Sequence, residues 1–400
     1  MLLVGRTVDA ITDPLMGRLS DITRWRWGRR RPYFVLAAVP FGLSFALLWQ
    51  RLALDAQGLL FAAYATLYIV HTTASTMLGV PYMALLPELA IGYDERTALN
   101  VFRQVGAVLG VLLAAVAMRP LVDLCGGGAR GFAYAGSVLG VWMAVPWFVV
   151  YAVTWERPAF AQPTQVSFAD GLRRLAAHRA YRVLVGLFLC ARLALDLVAA
   201  MIIFYLAYWL HREPDFSAVM ATMLIAASLS LPFWLRAAQH ADKATIFIVG
   251  AGWWIGTQLV LFVLQPEWPR WVMFAVAAAT GVGYAAADLM PWSMLGDVVD
   301  ADELMTGERS DGIYAGTFTF LRKLGGATGV ALAGLVLDLA GFAPGEEQSA
   351  AALLAIRLMT AVVPATFLAV AALIAWSYPL GRRRHAEIVM QLEARRRAVG

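Results

Sequence analysis

Two acidic side chains near the N-terminus have a spacing that suits shared chemistry. Asp9 and Asp13 lie four residues apart in a largely apolar stretch. In a helix this spacing places both carboxylates on one face, about one turn apart. Carboxylates in a membrane are costly unless they bind a cation, a proton or a basic side chain. Thr12 adds a hydroxyl oxygen, and oxygen ligands suit hard cations. We therefore predict that Asp9 and Asp13 bind something cationic: a basic side chain, a proton or a metal ion.

A basic residue far along the chain also stands out. Lys323 is one of only two lysines in a sequence that otherwise uses arginine for its positive charges. It lies about ten residues, or roughly 15 Å, inside its predicted helix, which places it near the membrane midplane. A lysine at that depth needs a carboxylate partner. The alternative interpretation of these charges is structural: Asp9 would pair with Arg6, and Lys323 would belong to a fixed ion pair.

The elements that position these groups are predicted to be membrane-spanning helices. Of the 400 residues, 60% are hydrophobic and 15% charged, with a mean hydropathy of +0.67, which excludes an ordinary soluble domain. The apolar runs are continuous and about 20 residues long, as expected for helices rather than for the alternating strands of a barrel. Eleven spans are predicted, at residues 1–19, 33–50, 59–89, 97–118, 132–155, 183–210, 218–235, 244–264, 271–299, 313–342 and 351–378.

The arginines between the spans indicate orientation rather than a nucleic-acid partner. Five lie in residues 24–31, five more in residues 156–182, and the C-terminal tail is basic too. If every span crosses once, these segments share one side, which the positive-inside rule assigns to the cytoplasm. We therefore expect a multi-pass protein of the cell (inner) membrane with a cytoplasmic C-terminus. Cys125 and Cys190 have no metal-binding spacing and are expected to be packing residues.

Short internal repeats indicate a duplicated architecture. Residues 81–85 (PYMAL) parallel residues 291–295 (PWSML), and residues 103–106 (RQVG) parallel residues 322–325 (RKLG). We predict two pseudo-symmetric helical bundles joined by a linker and followed by a basic tail. The predicted boundaries are 1–155 for the N-terminal bundle, 156–182 for the cytoplasmic linker, 183–380 for the C-terminal bundle and 381–400 for the tail. Apolar residues of the tail, among them Ile388 and Leu392, are expected to lie on the inner leaflet.

Several motifs resemble one transporter superfamily. Its loop signature, between the second and third helices of the major facilitator superfamily, is matched by Gly17, Asp21, Gly28, Arg29, Arg30 and Arg31. Residues 6–14 (RTVDAITDP) resemble the second helix of the melibiose-permease family of glycoside-pentoside-hexuronide:cation symporters. Residues 297–300 (DVVD) and 306–309 (TGER) agree with that family in the second half. The resemblance implies an all-α membrane fold of two six-helix bundles, of which this chain supplies about 11 helices, with family helix I apparently missing.

The resemblance also implies roles for individual residues. The cation site would be lined by Asp9, Thr12, Asp13 and Thr76. The substrate cavity would be lined by Arg6, Arg103, Asp288, Trp292 and Lys323, with Lys323 pairing with Asp9 or Asp13 when the cation leaves. The loop signature, Gly17, Asp21, Gly28, Arg29, Arg30 and Arg31, would control conformation without touching the solute, with Asp21 capping or pairing with a neighbouring helix end.

Two departures from the family pattern bear on what is carried. The melibiose permease holds its galactoside with an aspartate and a tryptophan, but residues 79–83 read GVPYM here and contain neither. Galactoside recognition therefore does not carry over. Thr12 stands where the melibiose permease has an asparagine, so the choice between Na+ and a proton stays open.

These observations predict a secondary active transporter that couples a cation to symport of a small solute, a sugar or glycoside, by alternating access. We expect a monomer with no cofactor beyond the coupling ion and no enzymatic activity. One alternative is the same fold carrying a lysolipid or another amphipathic solute. A distant alternative is an intramembrane prenyltransferase, because Asp9 and Asp13 form half of a magnesium-diphosphate motif. Its second half would have to come from residues 297–302, at the end of a distant helix.

Overall fold

The chain is helical throughout the part that the structure, a computed structural model, describes: residues 2–53, 55–90, 92–156 and 168–399. This part contains fourteen α-helices and no β-strand. Their bounds are α1 Leu2–Ile22, α2 Arg31–Leu48, α3 Gln57–Leu89, α4 Tyr93–Leu124, α5 Gly128–Val153, α6 Phe168–Ala177, α7 Arg179–Phe204, α8 Phe216–His240, α9 Lys243–Val263, α10 Arg270–Thr306, α11 Asp311–Leu339, α12 Ala350–Arg357, α13 Val363–Trp376 and α14 Arg382–Val399. Short π-helical segments follow α7, at Tyr205–Trp209, and join α12 to α13, at Leu358–Val362.

Nine stretches of the described residues are long and apolar enough to cross a membrane, and they coincide with nine of the eleven predicted spans. The remaining two predicted spans, 1–19 and 97–118, form α1 and α4, which are 21 and 32 residues long. Both helices carry charged side chains within apolar sequence, such as Asp13 in α1 and Arg103 in α4. Both helices are therefore long enough to span a membrane, and charged side chains inside a span are candidate functional residues.

Helix α10 is longer than the sequence pattern predicts. It continues past the predicted end at residue 299 as far as Thr306. Asp297 and Asp300 bind cationic side chains inside the protein, so these carboxylates do not end the helix in water. The helix stops at Gly307, whose φ of 76° is a left-handed conformation that favours glycine.

The described residues form two compact units. Unit 1 consists of Met1–Ile91, Leu109–Leu175 and Asp302–Phe320, and unit 2 consists of Gly92–Val108, Ala176–Ala301 and Leu321–Gly400. Helices α4 and α11 each contribute one part to unit 1 and the other part to unit 2. The sequence boundaries predicted for the two bundles and the linker stay a prediction.

In unit 1 the helices pack closely where glycines face each other. Helix α2 lies against α3 and α5, and α1 lies against α3. A Cβ on Gly42 of α2 would overlap the carbonyl oxygen of Gly140 of α5, and the reverse also holds. Since lipid tails are as apolar as leucine, such close backbone approach is a main source of helix association in a membrane. Phe34 and Trp147 stack next to this contact, with ring centroids 5.9 Å apart.

In unit 2 the π-helical end of α7 is tied to the end of α9. Helix α13 packs on both of these helices. The hydroxyl of Tyr205 donates to the carbonyl of Leu261 at 2.7 Å, and Nε1 of Trp209 donates to the carbonyl of Leu264 at 2.9 Å. These side chains satisfy carbonyls that the end of a helix leaves without partners, so the α7 and α9 ends stay together.

The facing glycines generate a stability prediction. Gly42→Leu should destabilise the protein by about 1–3 kcal/mol, because the new side chain must push α2 from α5. Gly110→Leu is the matched control, since Gly110 is also helical and a Cβ there meets no atom within 4 Å. Thermal unfolding in detergent, followed by size-exclusion chromatography, should show a lower midpoint for Gly42→Leu only. Equal midpoints for both variants would contradict the glycine contact.

Candidate functional site

The predicted cation-binding side chains lie in unit 1, mainly on α1. Asp13 has no exposed surface and Asp9 is 5% exposed. Thr76 of α3 is also buried, and its hydroxyl donates to Oδ1 of Asp13 at 2.6 Å. The hydroxyl of Thr12 is buried and makes no hydrogen bond among the described residues. The structure thus brings Thr76 to Asp13, with Asp9 one turn away on the same helix.

Close contact with α11 holds α1 in place around Asp13. A Cβ on Gly316 would overlap the backbone of Asp13, and a Cβ on Gly17 would overlap the carbonyl of Gly312. The two helices therefore cross at backbone distance through glycines, which explains why residue 17 of the loop signature is glycine. Any larger residue at these positions would displace the segment that carries Asp13.

The chemistry of this donor set fits a hard cation. Carboxylates and hydroxyls supply only oxygen ligands, which suit Na+ and not a soft metal. Across the described residues, no group of three or more histidine, cysteine or acidic side chains is placed to hold a metal ion. Asp9, Asp13 and the hydroxyls of Thr12 and Thr76 thus offer oxygen donors, which suit a hard cation or a proton.

The loop before α2 is organised by one distant carboxylate. Glu156 accepts hydrogen bonds from the backbone N–H groups of Arg29, Arg30 and Arg31, at 2.8, 2.9 and 3.0 Å. A carboxylate in this position satisfies the first donors of a helix and suits its dipole. Gly28 precedes the three arginines with a φ of 104°, and a Cβ there would collide with Glu156. This contact accounts for the glycine of the signature.

The side chains of the same loop are buried in ion pairs. Arg30 has no exposed surface, and it pairs with Glu88 of α3 at 2.8 Å and with Asp21 of α1 at 3.0 Å. Asp311 at the start of α11 lies 3.5 Å from the same guanidinium. Burial alone would lower the pKa of Arg30, but the three carboxylates outweigh burial and raise its pKa above the ordinary value. Arg29 also pairs with Glu88.

Asp21 connects this cluster to the start of α11. Its carboxylate accepts hydrogen bonds from the backbone N–H of Gly312 at 2.9 Å and of Ile313 at 3.1 Å. It therefore caps the N-terminus of α11 while it also pairs with Arg30. The sequence did not single out Glu88, Glu156 or Asp311 as partners of the loop.

The predicted substrate-contacting residues Arg103, Asp288 and Trp292 lie in unit 2 and form one polar group with Gln104. The guanidinium of Arg103 lies 5.2 Å from the ring centroid of Trp292. Gln104, which follows Arg103 in α4, donates to Asp288 of α10 at 2.6 Å. Phe188 of α7 packs edge-on against Trp292, with centroids 5.6 Å apart. Aromatic, cationic and acidic groups are thus side by side.

Two further positions complete the predicted set. Lys323 is half-buried on α11 in unit 2, and its pairing with Asp9 or Asp13 stays a prediction. The side chain of Arg6 lies outside the part that the structure describes. Arg192 of α7 lines a small pocket together with Asp288 and forms a bidentate ion pair with Asp196, at 2.8 and 2.6 Å.

Unit 2 contains a second buried charge cluster, which the sequence interpretation missed. Lys243 at the start of α9 binds Asp297 of α10 at 2.6 Å. Arg96 of α4 binds Asp297 at 3.1 Å and Asp300 at 2.7 Å. Lys243 could have been singled out from the sequence, since it and Lys323 are the two lysines of the chain. The partners could not be found, because Arg96 and Asp297 are 201 residues apart in sequence.

Comparison with known proteins places this arrangement in a family. The family model described as MFS/sugar transport protein matches residues 1–382. The chain is 32% identical to the inner membrane symporter YicJ of Escherichia coli (strain K12), over 94% of this chain and 82% of that protein. It is 26% identical to the sodium-dependent lysophosphatidylcholine symporter 1-A of Danio rerio, over 98% of this chain and 80% of that protein.

A solved structure shows the same fold. The crystal structure of the fucose:proton symporter FucP of Escherichia coli superposes with a TM-score of 0.71, at 14% identity, over 94% of this chain and 90% of that chain. The predicted major facilitator fold is therefore confirmed, and membership of a transporter family leaves no place for the prenyltransferase alternative. The chain belongs to the MFS/sugar transport protein family, the family of glycoside-pentoside-hexuronide:cation symporters.

Proposed function

We propose that this protein is a secondary active transporter that couples Na+ or proton entry at Asp9 and Asp13 to symport of a small sugar-like solute. The observation that carries the proposal is the buried acidic pair on α1, with Asp13 accepting a hydrogen bond from Thr76. Buried carboxylates in a membrane span are retained for ion binding more often than for stability. The family description names sugar transport, and the zebrafish relative is named as sodium-dependent.

The solute-binding side is proposed to be the polar group of unit 2. Arg103 can donate two parallel hydrogen bonds to hydroxyl or carboxylate oxygens. Trp292 offers an aromatic face on which a sugar ring can stack, and Asp288 is held by Gln104 at 2.6 Å. Arg6 and Lys323 are further members of the proposed cavity.

Alternating access would use the loop signature as a conformational lock. Arg30 and Asp21 connect α1, the start of α2 and the start of α11. Breaking such a buried pair costs about 3–5 kcal/mol if one partner is left alone, so release requires all partners to separate together. We assign this end of the helices to the cytoplasm and the protein to the cell (inner) membrane, in keeping with the loop arginines and with the printed name of YicJ.

An amphipathic solute is the second candidate, because unit 2 contains an apolar cavity. Its volume is about 60 Å³, and its lining is almost wholly hydrocarbon, with Val198 and Ile202 from α7 and Met220 and Met223 from α8. Such a lining would accept an alkyl group in preference to a hydroxyl. A relative that is named as a lysophosphatidylcholine symporter supports this candidate.

Uptake by proteoliposomes decides between the two solutes. With an inward Na+ or proton gradient, a labelled glycoside should accumulate at least about tenfold over liposomes without protein. Labelled lysophosphatidylcholine should not. The reverse pattern would replace the sugar proposal with the lysolipid one, and no gradient-dependent uptake of either would contradict both.

Asp13→Asn should abolish cation coupling. The substitution removes the charge that attracts the cation but keeps the size of the side chain. Loss of one charged ligand, which contributes about 1.5–3 kcal/mol to binding, should weaken cation binding about 10- to 100-fold. Binding of ²²Na+ to purified protein and proton uptake on acidification both measure this without a solute. Asp170→Asn, on the exposed surface of α6, is the control. Undiminished binding in the Asp13 variant would remove Asp13 from the site.

Lys323→Ala tests whether the lysine takes the place of the cation. If its ammonium neutralises Asp9 or Asp13 in the empty carrier, its loss leaves a buried carboxylate that must keep its cation or proton. Net uptake should then fall severalfold while exchange of solute across a loaded carrier survives. Arg383→Ala, at a site whose side chain is 96% exposed, should change neither. Equal loss of net uptake and exchange, or loss of neither, would contradict this role.

A further inference from the structure

The C-terminal helix α14 is docked on unit 2 rather than on the membrane. His385, Ile388 and Leu392 are 2%, 3% and 5% exposed and form one stripe along the helix. The expectation that Ile388 and Leu392 lie on the inner leaflet is therefore wrong, because protein already covers them. The stripe leaves the opposite face, including Arg383, in contact with the surroundings.

Two acidic residues fix the start of α14. The carboxylate of Asp242 accepts a hydrogen bond from the backbone N–H of Arg382 at 2.7 Å. The guanidinium of Arg382 forms two parallel hydrogen bonds with Asp94 of α4, at 2.8 and 2.7 Å. Helix α14 is thereby fastened both to the α8–α9 connection and to the start of α4.

One turn further on, His385 enters the buried cluster of α4 and α10. Its Nε2 lies 3.0 Å from Oδ2 of Asp300, 3.6 Å from Oδ1 of Asp297 and 3.3 Å from Nη1 of Arg96. The titratable and charged groups around it are Tyr93 and Arg96 from α4, Asp242 and Lys243 at the start of α9, Asp297 and Asp300 from α10, Tyr378 ahead of α14 and Arg382 within it.

The neighbours of Nε2 make opposite demands on it. Asp300 can only accept a hydrogen bond, which requires a hydrogen on Nε2, whereas Arg96 can only donate one, which requires that Nε2 carry none. A neutral imidazole can meet one of these demands at a time. An imidazolium always carries the hydrogen, and it donates a charge-assisted bond to Asp300.

The charge balance of the docking surface also favours the imidazolium. Four carboxylates meet three cationic side chains there, so one positive charge on His385 makes the set neutral. The carboxylates are Asp94, Asp242, Asp297 and Asp300, and the cations are Arg96, Lys243 and Arg382. A positive charge in the first turn is opposed by the helix dipole, but Asp242 caps that end of α14.

We propose that His385 is a proton-binding latch: protonated, it holds α14 and the start of α4 on α10, and deprotonated, it lets α14 detach. A latch that opens when a proton is lost responds to the pH of the compartment that α14 faces. The consequence for transport rests on the proposed function, since release of Arg96 with α14 would free the start of α4 for alternating access. Acidification on that side then slows the carrier.

The test measures detachment of α14 directly, without a solute. Hydrogen exchange of the α14 amides, corrected for the intrinsic rate, is compared at pH 6 and pH 8 for the full chain in lipid nanodiscs. Protection in the parent should fall at least about tenfold from pH 6 to pH 8, the loss expected for one charge-assisted hydrogen bond. His385→Gln keeps a neutral donor near the place of Nε2 and should show equal protection at both values. His240→Gln, at the exposed end of α8, should behave as the parent.

A second variant covers the case in which His385→Gln does not fold. Asp300→Asn removes the negative charge that favours an imidazolium beside it and should also abolish the pH dependence. A parent without pH dependence, or variants that keep it, would overturn the latch. Gradient-driven uptake of the labelled glycoside, measured in parallel, separates the two proposals: uptake with a flat exchange profile contradicts only the latch, and a pH-dependent exchange profile without uptake contradicts only the transport function.

Discussion

A buried positive charge at the start of a span, bound by the end of another span, organises each unit of this protein. Arg30 precedes α2 and binds both the carboxylate of Glu88 and the carbonyl of Ala84, four residues before Glu88. Lys243 begins α9 and binds both the carboxylate of Asp297 and the carbonyl of Ser293, four residues before Asp297. Removing one partner of a buried pair costs about 3–5 kcal/mol. The ends of these helices are therefore held in register by electrostatics, where apolar packing alone would let them slide.

Each cluster is completed by a helix that contributes to both units. Helix α11 brings Asp311 to Arg30 in unit 1, and α4 brings Arg96 to Asp297 in unit 2. Asp311 is negative and Arg96 is positive, so the two clusters have similar arrangements but are not duplicates of each other. Helices α4 and α11 each start in one unit and end in the other, and these ion pairs fix their starts.

The sequence predicted the class of fold and the spans well, because continuous apolar runs report directly on the membrane. It also singled out Asp13 and Arg30, whose neighbours in sequence form recognisable motifs and which are both buried in the structure. It could not locate Glu88 or His385 as members of charge clusters. Their partners come from other helices, and periodicity contains no information about which helices meet. The buried stripe of α14 was misread for the same reason, since an apolar stripe fits a lipid surface and a protein surface equally well.

Under the proposed function, helix α3 would allow ion binding and solute choice to change separately. Thr76 supplies the hydroxyl that reaches Asp13, while residues 79–83, one turn further along the same helix, lack the aspartate and tryptophan of the melibiose permease. A cation site depends on a few oxygens at short range, so it survives changes in a neighbouring turn. A sugar is bound by many weaker contacts, and these can be supplied elsewhere. Under the proposed function, solute choice then passes to Arg103, Trp292 and the groups that hold them.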